Sequence, residues 1–378
     1  MKIVLDSQPI VFERTGVGRY VLNLLLALGK IDKSHEIIPF YFNFRRNFKE
    51  QYLWNDLKNF NPIEVQLIPG FLLHRLWLYC NLFPLETFVK EADIYHFPNY
   101  MIKPFIKGKC VITVHDLAFR RHPETLMPKN YRMLKKNFEK SIEKSDAIIT
   151  VSEFSKKEFL EFYPNYSNPV HVTYNGIDDF FIDYFKDEHI QEVKIKYSLP
   201  TEYILHVGTI EPRKNLTHLL YVFKEILSYR PKLKLVFVGS KGWKSDEFHK
   251  VFEELKLQDH IHFIGFIKSD DLPYIYHLAK LFIFPSLYEG FGMPPLEAMA
   301  CGTPVIASDI PVMEEILGDA AMLYNLNDSP KVWANKINDV LDNDKLIEKY
   351  SIKGQQHAKQ FTWEQTAKKT LELYEKIF

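Results

Sequence analysis

The feature that most constrains this chain is a regular alternation of short apolar runs with longer amphipathic stretches, from one end to the other. The apolar runs are rich in β-branched residues and have the length of strands. The candidate strands are Lys2–Asp6, Ile37–Phe42, Val65–Ile68, Ile94–His96, Cys110–Val114, Ala147–Val151, Val170–Thr173, Tyr203–Val207, Leu233–Val238, Ile261–Ile264, Leu281–Phe284, Pro304–Ala307 and Ala321–Leu323. Helices between strands are typical of crossover connections, which produce parallel sheets. The pattern therefore predicts an α/β fold.

Length and one turn signal predict two domains. A chain of 378 residues is more than twice a typical domain of roughly 150 residues. The segment Asn175–Asp179 has turn chemistry, and a polar stretch follows it before a strand resumes after Pro200. We therefore place the domain boundary near residue 180. Ligands of parallel α/β folds bind beyond the carboxyl ends of strands, so binding residues are expected in the loops that follow strands.

Composition excludes several classes of protein. Basic and acidic side chains number 48 each, so the net charge is zero, unlike that of a general nucleic-acid binder. The three cysteines, Cys80, Cys110 and Cys301, are far apart, which argues against a disulfide framework or a thiolate zinc site. The longest apolar stretch, 71–88, contains charged residues and a proline and cannot span a bilayer. A cytoplasmic location is therefore expected.

The richest motif is the segment Glu289–Glu297, Glu-Gly-Phe-Gly-Met-Pro-Pro-Leu-Glu, which follows the candidate strand Leu281–Phe284. Its prolines suit the first turn of a helix, where amides lack intrahelical partners. Those amides and the helix dipole bind anions, and Gly290 and Gly292 admit a close ligand. Carboxylates accept hydrogen bonds from sugar diols, so one glutamate suits a ribose and the other a hexose. The alternative is an ordinary strand–turn–helix in which Glu297 only complements the helix dipole.

Two adjacent cations occur in a second segment, Gly208–Asn215. Arg213 and Lys214 follow a strand and a glycine turn and are expected at the start of a helix. Cations oppose the helix dipole there, at a cost of roughly a few tenths of a kcal/mol. We therefore predict an anion that compensates them, and a diphosphate fits. The alternative is a pair of solvated surface cations.

A third segment, Thr15–Tyr20, places Gly16 and Gly18 at the start of a helix after the first strand. Bare backbone amides at this point can approach a phosphate. The third glycine of a dinucleotide-binding motif is missing, and the separation from the strand is long. A plain turn is therefore the alternative.

A histidine stands directly after another candidate strand. His115 follows the run Cys110–Val114, so it is expected at the binding edge of the sheet rather than in the core. The alternative is a structural histidine held by Asp116. The other histidines lack the spacing of paired metal ligands, and no metal site is predicted.

In this order, these segments resemble the retaining glycosyltransferases of family 4. The resemblance covers essentially the whole chain and is most specific over Glu289–Glu297 and Gly208–Asn215. Further matches are Val151–Ser155 and Asn175–Asp178. The resemblance implies the GT-B architecture, in which two Rossmann-like parallel-sheet domains face each other across a cleft.

The resemblance also implies what each domain does. The first domain, 1–180, would be the acceptor side, and the C-terminal helix, 362–378, would cross back to complete it. The second domain, 181–361, would bind the nucleotide sugar.

Roles for individual residues follow from the same resemblance. Arg213 and Lys214 would bind the donor diphosphate and act in catalysis, and Glu297 would hold the ribose. Glu289 would hold the donor sugar, with His115 beside the transferred hexose. The other donor-binding positions implied are Gly16, Gly18, Gly208, Phe266, Ile267, Gly290, Phe291 and Gly292. Because the two cations supply positive charge, neither a metal nor a resident cofactor is expected.

The resemblance suggests substrates as well. The segment from Val114 to Pro123 is similar to bacterial mannosyltransferases of polysaccharide and lipopolysaccharide assembly. This similarity favours GDP-mannose as the donor, with a UDP-sugar as the alternative, and a glycan or lipid-linked glycan as the acceptor. The aromatic stretch 71–88 and the basic helical stretch 129–144 favour peripheral contact with the inner face of a membrane. The alternatives are a buried segment and a solvated face.

Two other functions stay open at this point. One is a sugar-nucleotide epimerase or hydrolase on the same fold, which would convert the donor without an acceptor. The other is a non-catalytic sugar-nucleotide-binding protein. The presence together of Glu289, Glu297, Arg213, Lys214 and His115 argues against the second.

Overall fold

The structure is a computed structural model that describes residues 1–11, 16–44, 60–66, 73, 76–77, 83–182, 185–265 and 267–378. By their contacts these residues form two compact units. The first unit comprises Met1–Leu117, Pro128–Gly176 and Thr362–Phe378, and the second comprises Ala118–Met127 and Ile177–Phe361. Each unit is built on one parallel sheet.

The sheet of the first unit has seven strands in the order β3-β2-β1-β4-β5-β6-β7. The strands are β1 (Lys2–Asp6), β2 (Glu36–Phe42), β3 (Ile63–Val65), β4 (Ile94–Phe97), β5 (Lys109–Val114), β6 (Ala147–Thr150) and β7 (Val170–Val172). All neighbouring strands are parallel. The strand order reverses at the β1–β4 pair, which is the kind of position where open α/β sheets bind ligands.

The α-helices that the structure describes in the first unit are Gln8–Val11, Gly16–Ile31, Pro128–Lys144, Glu153–Phe162 and Trp363–Ile377. The helix Gly16–Ile31 buries Tyr20, Leu24 and Leu28 at helical spacing, and these side chains join Ile3 of β1 in one core cluster. A helix that repeats apolar residues every three or four positions has one face to bury, and the sheet covers it.

The C-terminal helix Trp363–Ile377 belongs to the first unit, although most of the second unit precedes it in the chain. Tyr374 is completely buried, and its hydroxyl lies 2.5 Å from His96 Nδ1. A Cβ at Gly176 would lie 2.1 Å from the backbone nitrogen of Trp363. The two backbone segments therefore meet where no side chain fits.

The sheet of the second unit has six parallel strands in the order β10-β9-β8-β11-β12-β13. The strands are β8 (Tyr203–Val207), β9 (Lys234–Val238), β10 (Ile261–Gly265), β11 (Leu281–Phe284), β12 (Val305–Ser308) and β13 (Met322–Tyr324). The α-helices described here are Ala118–Arg121, Asp187–Lys196, Leu216–Leu227, Asp246–Glu254, Leu272–His277, Met293–Ala300, Pro311–Leu317, Pro330–Leu341 and Asp344–Ala358. The strand order reverses at the β8–β11 pair, so the loops after these two strands are neighbours.

The α/β fold predicted from the sequence is confirmed. The third strand is Ile63–Val65 rather than Val65–Ile68, and residues 67–68 lie outside the described residues. The other predicted strands lie within one residue of their expected bounds. Most of the aromatic stretch 71–88 also lies outside the described residues. Among the helices that can be described, none combines the length and apolar character needed to cross a bilayer.

The second unit includes the segment Ala118–Met127, which comes from the first half of the chain. Trp243 Nε1 donates to the carbonyl of Thr125 at 2.7 Å. The rings of His122 and Tyr288 meet edge to face, with centroids 5.3 Å apart. These partners are far apart in the chain, so no local sequence pattern indicates that they meet.

Candidate functional site

Arg213 and Lys214 lie in the loop that follows β8. They belong to a one-turn 3₁₀ helix, Pro212–Lys214. The helix Leu216–Leu227 begins only after Asn215, whose φ of +53° is left-handed. The two cations, expected at the start of a helix, thus lie in a separate helical turn directly before it, and a left-handed residue separates them from the longer helix.

The second group of candidate residues follows β11. Glu289 lies in the loop, and the helix Met293–Ala300 begins after Gly292 and carries Glu297. The predicted arrangement of one glutamate in the loop and one in the helix is therefore what the structure has. Gly292 has a φ of +99°, and a Cβ there would lie 2.5 Å from Met313 Cε. Glycine suits both the backbone conformation and the packing at this position.

The loops after β8 and β11 meet in a cluster of charged side chains. Lys214 Nζ donates to Glu289 Oε1 at 2.6 Å, and Arg213 Nη1 donates to Glu289 Oε2 at 2.7 Å. Arg213 also donates to Glu211 Oε1 at 2.6 Å and to the Tyr288 carbonyl at 2.9 Å. We call Glu211, Arg213, Lys214 and Glu289 the ion cluster. It contains two cations and two carboxylates.

The ion cluster is largely removed from water. The side chains of Lys214 and Glu289 are 10% and 9% exposed. Burial by itself would raise the pKa of Glu289, but Arg213 and Lys214 outweigh burial and lower this pKa to about 2. Burial lowers the pKa of Lys214, against the opposing effect of Glu289. Glu289 is therefore ionised at neutral pH.

The carboxylates of the ion cluster correct the charge argument made from the sequence. That argument required an external anion to compensate Arg213 and Lys214. In the structure, Glu211 and Glu289 compensate both cations within the chain. Glu211 was not among the candidates from the sequence, because its pairing with Arg213 depends on the conformation of the loop rather than on a spacing rule.

The shifted pKa of Glu289 predicts an acid-sensitive contribution to folding. Because the pKa falls from 4.5 to about 2 on folding, the stabilisation is complete above pH 4.5 and is lost as the pH falls towards 2. Each pH unit in this range removes up to about 1.4 kcal/mol. Denaturant unfolding at about pH 5 and about pH 3.5 should show a smaller acid loss for Glu289→Gln than for the wild type.

An exposed glutamate provides the control for this prediction. Glu254 is 56% exposed and pairs only loosely with Lys250, at 3.7 Å. Glu254→Gln should therefore keep the acid loss of the wild type. Equal acid losses for the wild type and Glu289→Gln would contradict the assigned electrostatics.

Glu297 has a different environment from Glu289. It is 2% exposed, and Tyr276 OH donates to its Oε2 at 3.0 Å. Tyr276 lies in the preceding helix, Leu272–His277, and no spacing rule links it to Glu297, so the sequence could not identify this partner. Gly290 and Phe291, between the two glutamates, are buried as well.

A glycine follows directly after each of the strands β8 and β9, near the ion cluster. The Gly208 amide donates to the carbonyl of Val238 at 2.8 Å. A Cβ at Gly239 would lie 2.2 Å from the Gly208 oxygen, so the two backbones approach too closely for a side chain. Beyond β10, Ile267 is buried. Phe266, also a candidate, lies outside the described residues.

Gly16 and Gly18 belong to the first unit. Both lie in the first turn of the helix Gly16–Ile31, so they open a helix as predicted. Gly16 is exposed and a Cβ there would meet none of the described residues within 4 Å, whereas Gly18 is buried. Residues 12–15, which connect this helix to what precedes it, lie outside the described residues.

His115 follows β5 directly, as predicted, and is half-buried. Its Nε2 lies 2.9 Å from the carbonyl oxygen of Pro98, and the Tyr20 ring meets it edge-on at 4.8 Å. Burial lowers the pKa of His115. Asp116, the alternative partner of His115, opposes this lowering electrostatically and also accepts a hydrogen bond from Tyr100 OH at 2.8 Å.

The structure thus brings some candidates together within one unit. Arg213, Lys214 and Glu289 share the ion cluster, and Glu297 lies one helix turn beyond the same loop. His115 belongs to the other unit and has surroundings of its own. In the part of the chain that the structure describes, no group of three or more His, Cys, Asp and Glu side chains is arranged to hold a metal ion.

Comparison with known proteins identifies the family. The model for Glycosyltransferase Family 4 matches residues 14–179, and the model for Glycosyl transferases group 1 matches residues 187–357. The chain is 31% identical over 384 residues to the O-antigen chain mannosyltransferase B of Escherichia coli, covering 99% of each protein. The chain belongs to glycosyltransferase family 4. It is a glycosyltransferase, as the sequence motifs indicated.

Solved structures confirm the GT-B fold for this family 4 member. A sucrose-phosphate synthase from Thermosynechococcus elongatus matches with a TM-score of 0.76 at 20% identity, over 100% of this chain and 99% of that one. The Anabaena protein HepE, solved in complex with UDP-glucose, matches with a TM-score of 0.71 at 18% identity over the whole of both chains. At these identities the likeness concerns the fold alone.

Proposed function

We propose that this family 4 enzyme transfers a hexose, with retention of anomeric configuration, from a nucleoside-diphosphate sugar to a glycan or lipid-linked glycan. The observation that carries the proposal is the ion cluster at the carboxyl ends of β8 and β11. Glu211 and Glu289 hold the two cations in place beside a glycine-rich helix start, and a donor that hydrogen-bonds to Glu289 turns the charge of the cations towards its own anion. A diphosphate is the anion that this arrangement suits.

The chemistry explains why fixed cations matter. As the bond between sugar and phosphate breaks, positive charge grows at the anomeric carbon and negative charge grows on the departing diphosphate. Arg213 and Lys214, which Glu289 holds beside this position, stabilise that negative charge. In a front-face transfer the departing phosphate accepts the proton of the acceptor hydroxyl. No side-chain base and no metal ion is then required by this proposal.

The remaining candidates take supporting roles in the proposal. Glu297, buried beside Tyr276, holds the ribose, and Glu289 receives hexose hydroxyls. His115 positions the transferred sugar. The other candidate positions contact the donor in this proposal. They are Gly16, Gly18, Gly208, Phe266, Ile267, Gly290, Phe291 and Gly292.

The relatives guide the choice of donor. The mannosyltransferase from Escherichia coli supports mannose, and we propose GDP-mannose as the donor. The UDP-glucose complex of HepE supports a UDP-sugar as the second candidate. Peripheral membrane contact is part of the proposal, because the helix Pro128–Lys144 exposes Lys129, Arg132 and Lys136.

Turnover with a panel of donors tests the function. GDP-mannose, UDP-glucose, UDP-N-acetylglucosamine and ADP-glucose are each incubated with a mannose oligosaccharide that carries an apolar aglycone. We expect transfer from GDP-mannose, with the new anomeric proton assigned by NMR as the same anomer as in the donor. A donor at about 100 times its Kd should also stabilise the protein by about 2.7 kcal/mol.

The same assay separates the alternatives. Conversion of the donor sugar without an acceptor would indicate an epimerase or hydrolase. Thermal stabilisation by donors without any product would indicate a non-catalytic binding protein. Inversion at the anomeric carbon would contradict the retaining mechanism.

A further inference from the structure

A buried histidine next to the ion cluster has one ring nitrogen without a hydrogen-bond partner among the described residues. His206 lies in β8, two residues before Gly208, and is completely buried. Its Nδ1 lies 2.9 Å from the carbonyl oxygen of Ile283 in β11. A carbonyl only accepts, so Nδ1 carries the proton and Nε2 presents a lone pair. Nε2 is buried and has no hydrogen-bond partner among the described residues.

The surroundings keep this imidazole neutral. The ring lies nearly parallel to those of Phe282 and Phe284, with centroids 6.3 and 6.0 Å away. Burial lowers the pKa of His206 to about 4; Lys214 adds to this, and the bond to Ile283 opposes it. A buried acceptor without a hydrogen bond lowers the stability of the folded protein, so an atom of this kind in a native core needs an explanation.

The free lone pair and Lys214 border the same small space. A Cβ at Gly208 would lie 3.2 Å from His206 Nε2 and 3.8 Å from Lys214 Cε. Because Gly208 has no side chain, nothing of that residue separates the two groups. The Lys214 ammonium has three protons, and Glu289 Oε1 receives one of them at 2.6 Å. A rotation of the flexible lysine stem would bring another of these protons towards the unused acceptor.

We propose that His206 is a positioning residue for Lys214. When a hydroxyl of the donor hexose hydrogen-bonds to Glu289 Oε1, the Nε2 lone pair of His206 accepts a hydrogen bond from the Lys214 ammonium, directly or through one water. This inference rests on the proposed function, in which Glu289 receives the sugar. A neutral acceptor satisfies the N–H bond without cancelling the positive charge. The full charge of Lys214 then faces the departing diphosphate, which a second carboxylate at position 206 would prevent.

Two amide variants distinguish the roles of the two ring nitrogens. His206→Asn keeps a donor near the Nδ1 position for the Ile283 carbonyl but lacks the distant acceptor. His206→Gln carries an amide oxygen that reaches the Nε2 position. We expect kcat to fall about tenfold in His206→Asn and to stay within about threefold of the wild type in His206→Gln, with the KM for the donor changed less than kcat in both.

A purely structural role predicts the opposite order. In that case His206→Asn, which keeps the bond to β11, would be the more active and more heat-stable variant, and the proposal would be overturned. His206→Phe keeps the ring stacking but lacks both nitrogens, so it should lose activity like His206→Asn. If His206→Asn fails to fold, the comparison of the Phe and Gln variants decides in the same way.

A second histidine provides a matched control. His218 also has an unpartnered Nε2, but it packs edge-on against Trp333 in the helix Pro330–Leu341. His218→Phe should leave kcat unchanged. If the wild type transfers no hexose at all, the proposed function fails; if it does, and His206→Asn matches the wild type, only the role of His206 fails.

Discussion

Lys214→Ala is expected to lower kcat for hexosyl transfer by about a hundredfold to a thousandfold. Removal of one fixed donor to a developing negative charge typically costs about 2.7–4 kcal/mol of transition-state stabilisation. The effect should appear in kcat more than in the KM for the donor, because the charge on the diphosphate grows as the bond breaks. Steady-state kinetics of nucleoside-diphosphate release, with saturating acceptor, measure both parameters.

Two further variants make this result specific. Lys214→Met keeps most of the side-chain volume against the Phe284 ring, which lies 4.8 Å from Nζ, and should lose as much activity as the alanine variant. Lys250 is 75% exposed on the helix Asp246–Glu254, and Lys250→Ala should match the wild type. Wild-type turnover by a folded Lys214→Met enzyme would refute the electrostatic role.

Gly176→Val is expected to prevent stable docking of the C-terminal helix and to unfold the first unit near physiological temperature. A Cβ at this position would lie 2.1 Å from the nitrogen of Trp363 and 2.5 Å from the carbonyl carbon of Thr362. Both atoms are backbone, so no rotamer change relieves the overlap. Overpacking usually costs about 1–3 kcal/mol, and a backbone clash belongs at or above the top of that range. Differential scanning calorimetry measures the loss.

The matched control lies in the same unit. Gly16→Ala adds a methyl group that would meet no atom of the described part of the chain within 4 Å, at an exposed position in the first turn of a helix. The midpoint temperature of the first unit's thermal transition should be the same in this variant as in the wild type. An unchanged transition in Gly176→Val would mean that residues 174–178 and 361–363 can separate without loss of the helix.

Local patterns explain why the fold was predictable from the sequence. The helix Gly16–Ile31 buries Tyr20, Leu24 and Leu28 because these residues share one face, and a single segment contains all the information needed. Strands such as β4, β6 and β11 are short apolar runs that are buried along their whole length, as is typical of parallel sheets with both faces covered. Because parallel strands place the loops at their carboxyl ends along one edge of a sheet, the sequence also predicted binding residues in the loops that follow strands.

Partners that meet only through packing were not predictable in the same way. Tyr276 reaches Glu297 because two helices lie side by side, and neither residue signals the other in the sequence. The segment Ala118–Met127 joins the second unit through Trp243 and Tyr288, residues more than a hundred positions away. The pairing of Arg213 and Lys214 with carboxylates likewise depends on the path of a loop whose turn at Asn215 was not foreseen.

The place of the helix Trp363–Ile377 in the first unit has a consequence for biosynthesis. Roughly 185 residues separate Gly176 from the return of the chain at Thr362. At about 5–20 residues per second, the ribosome needs about 10–40 s to translate that interval. During this time the surface that Tyr374 later covers stays open on the nascent polypeptide, and the second unit has all its residues once Phe361 has been added. The half of the enzyme that is made first is therefore the half that is finished last, and chaperones have a long window in which to hold it.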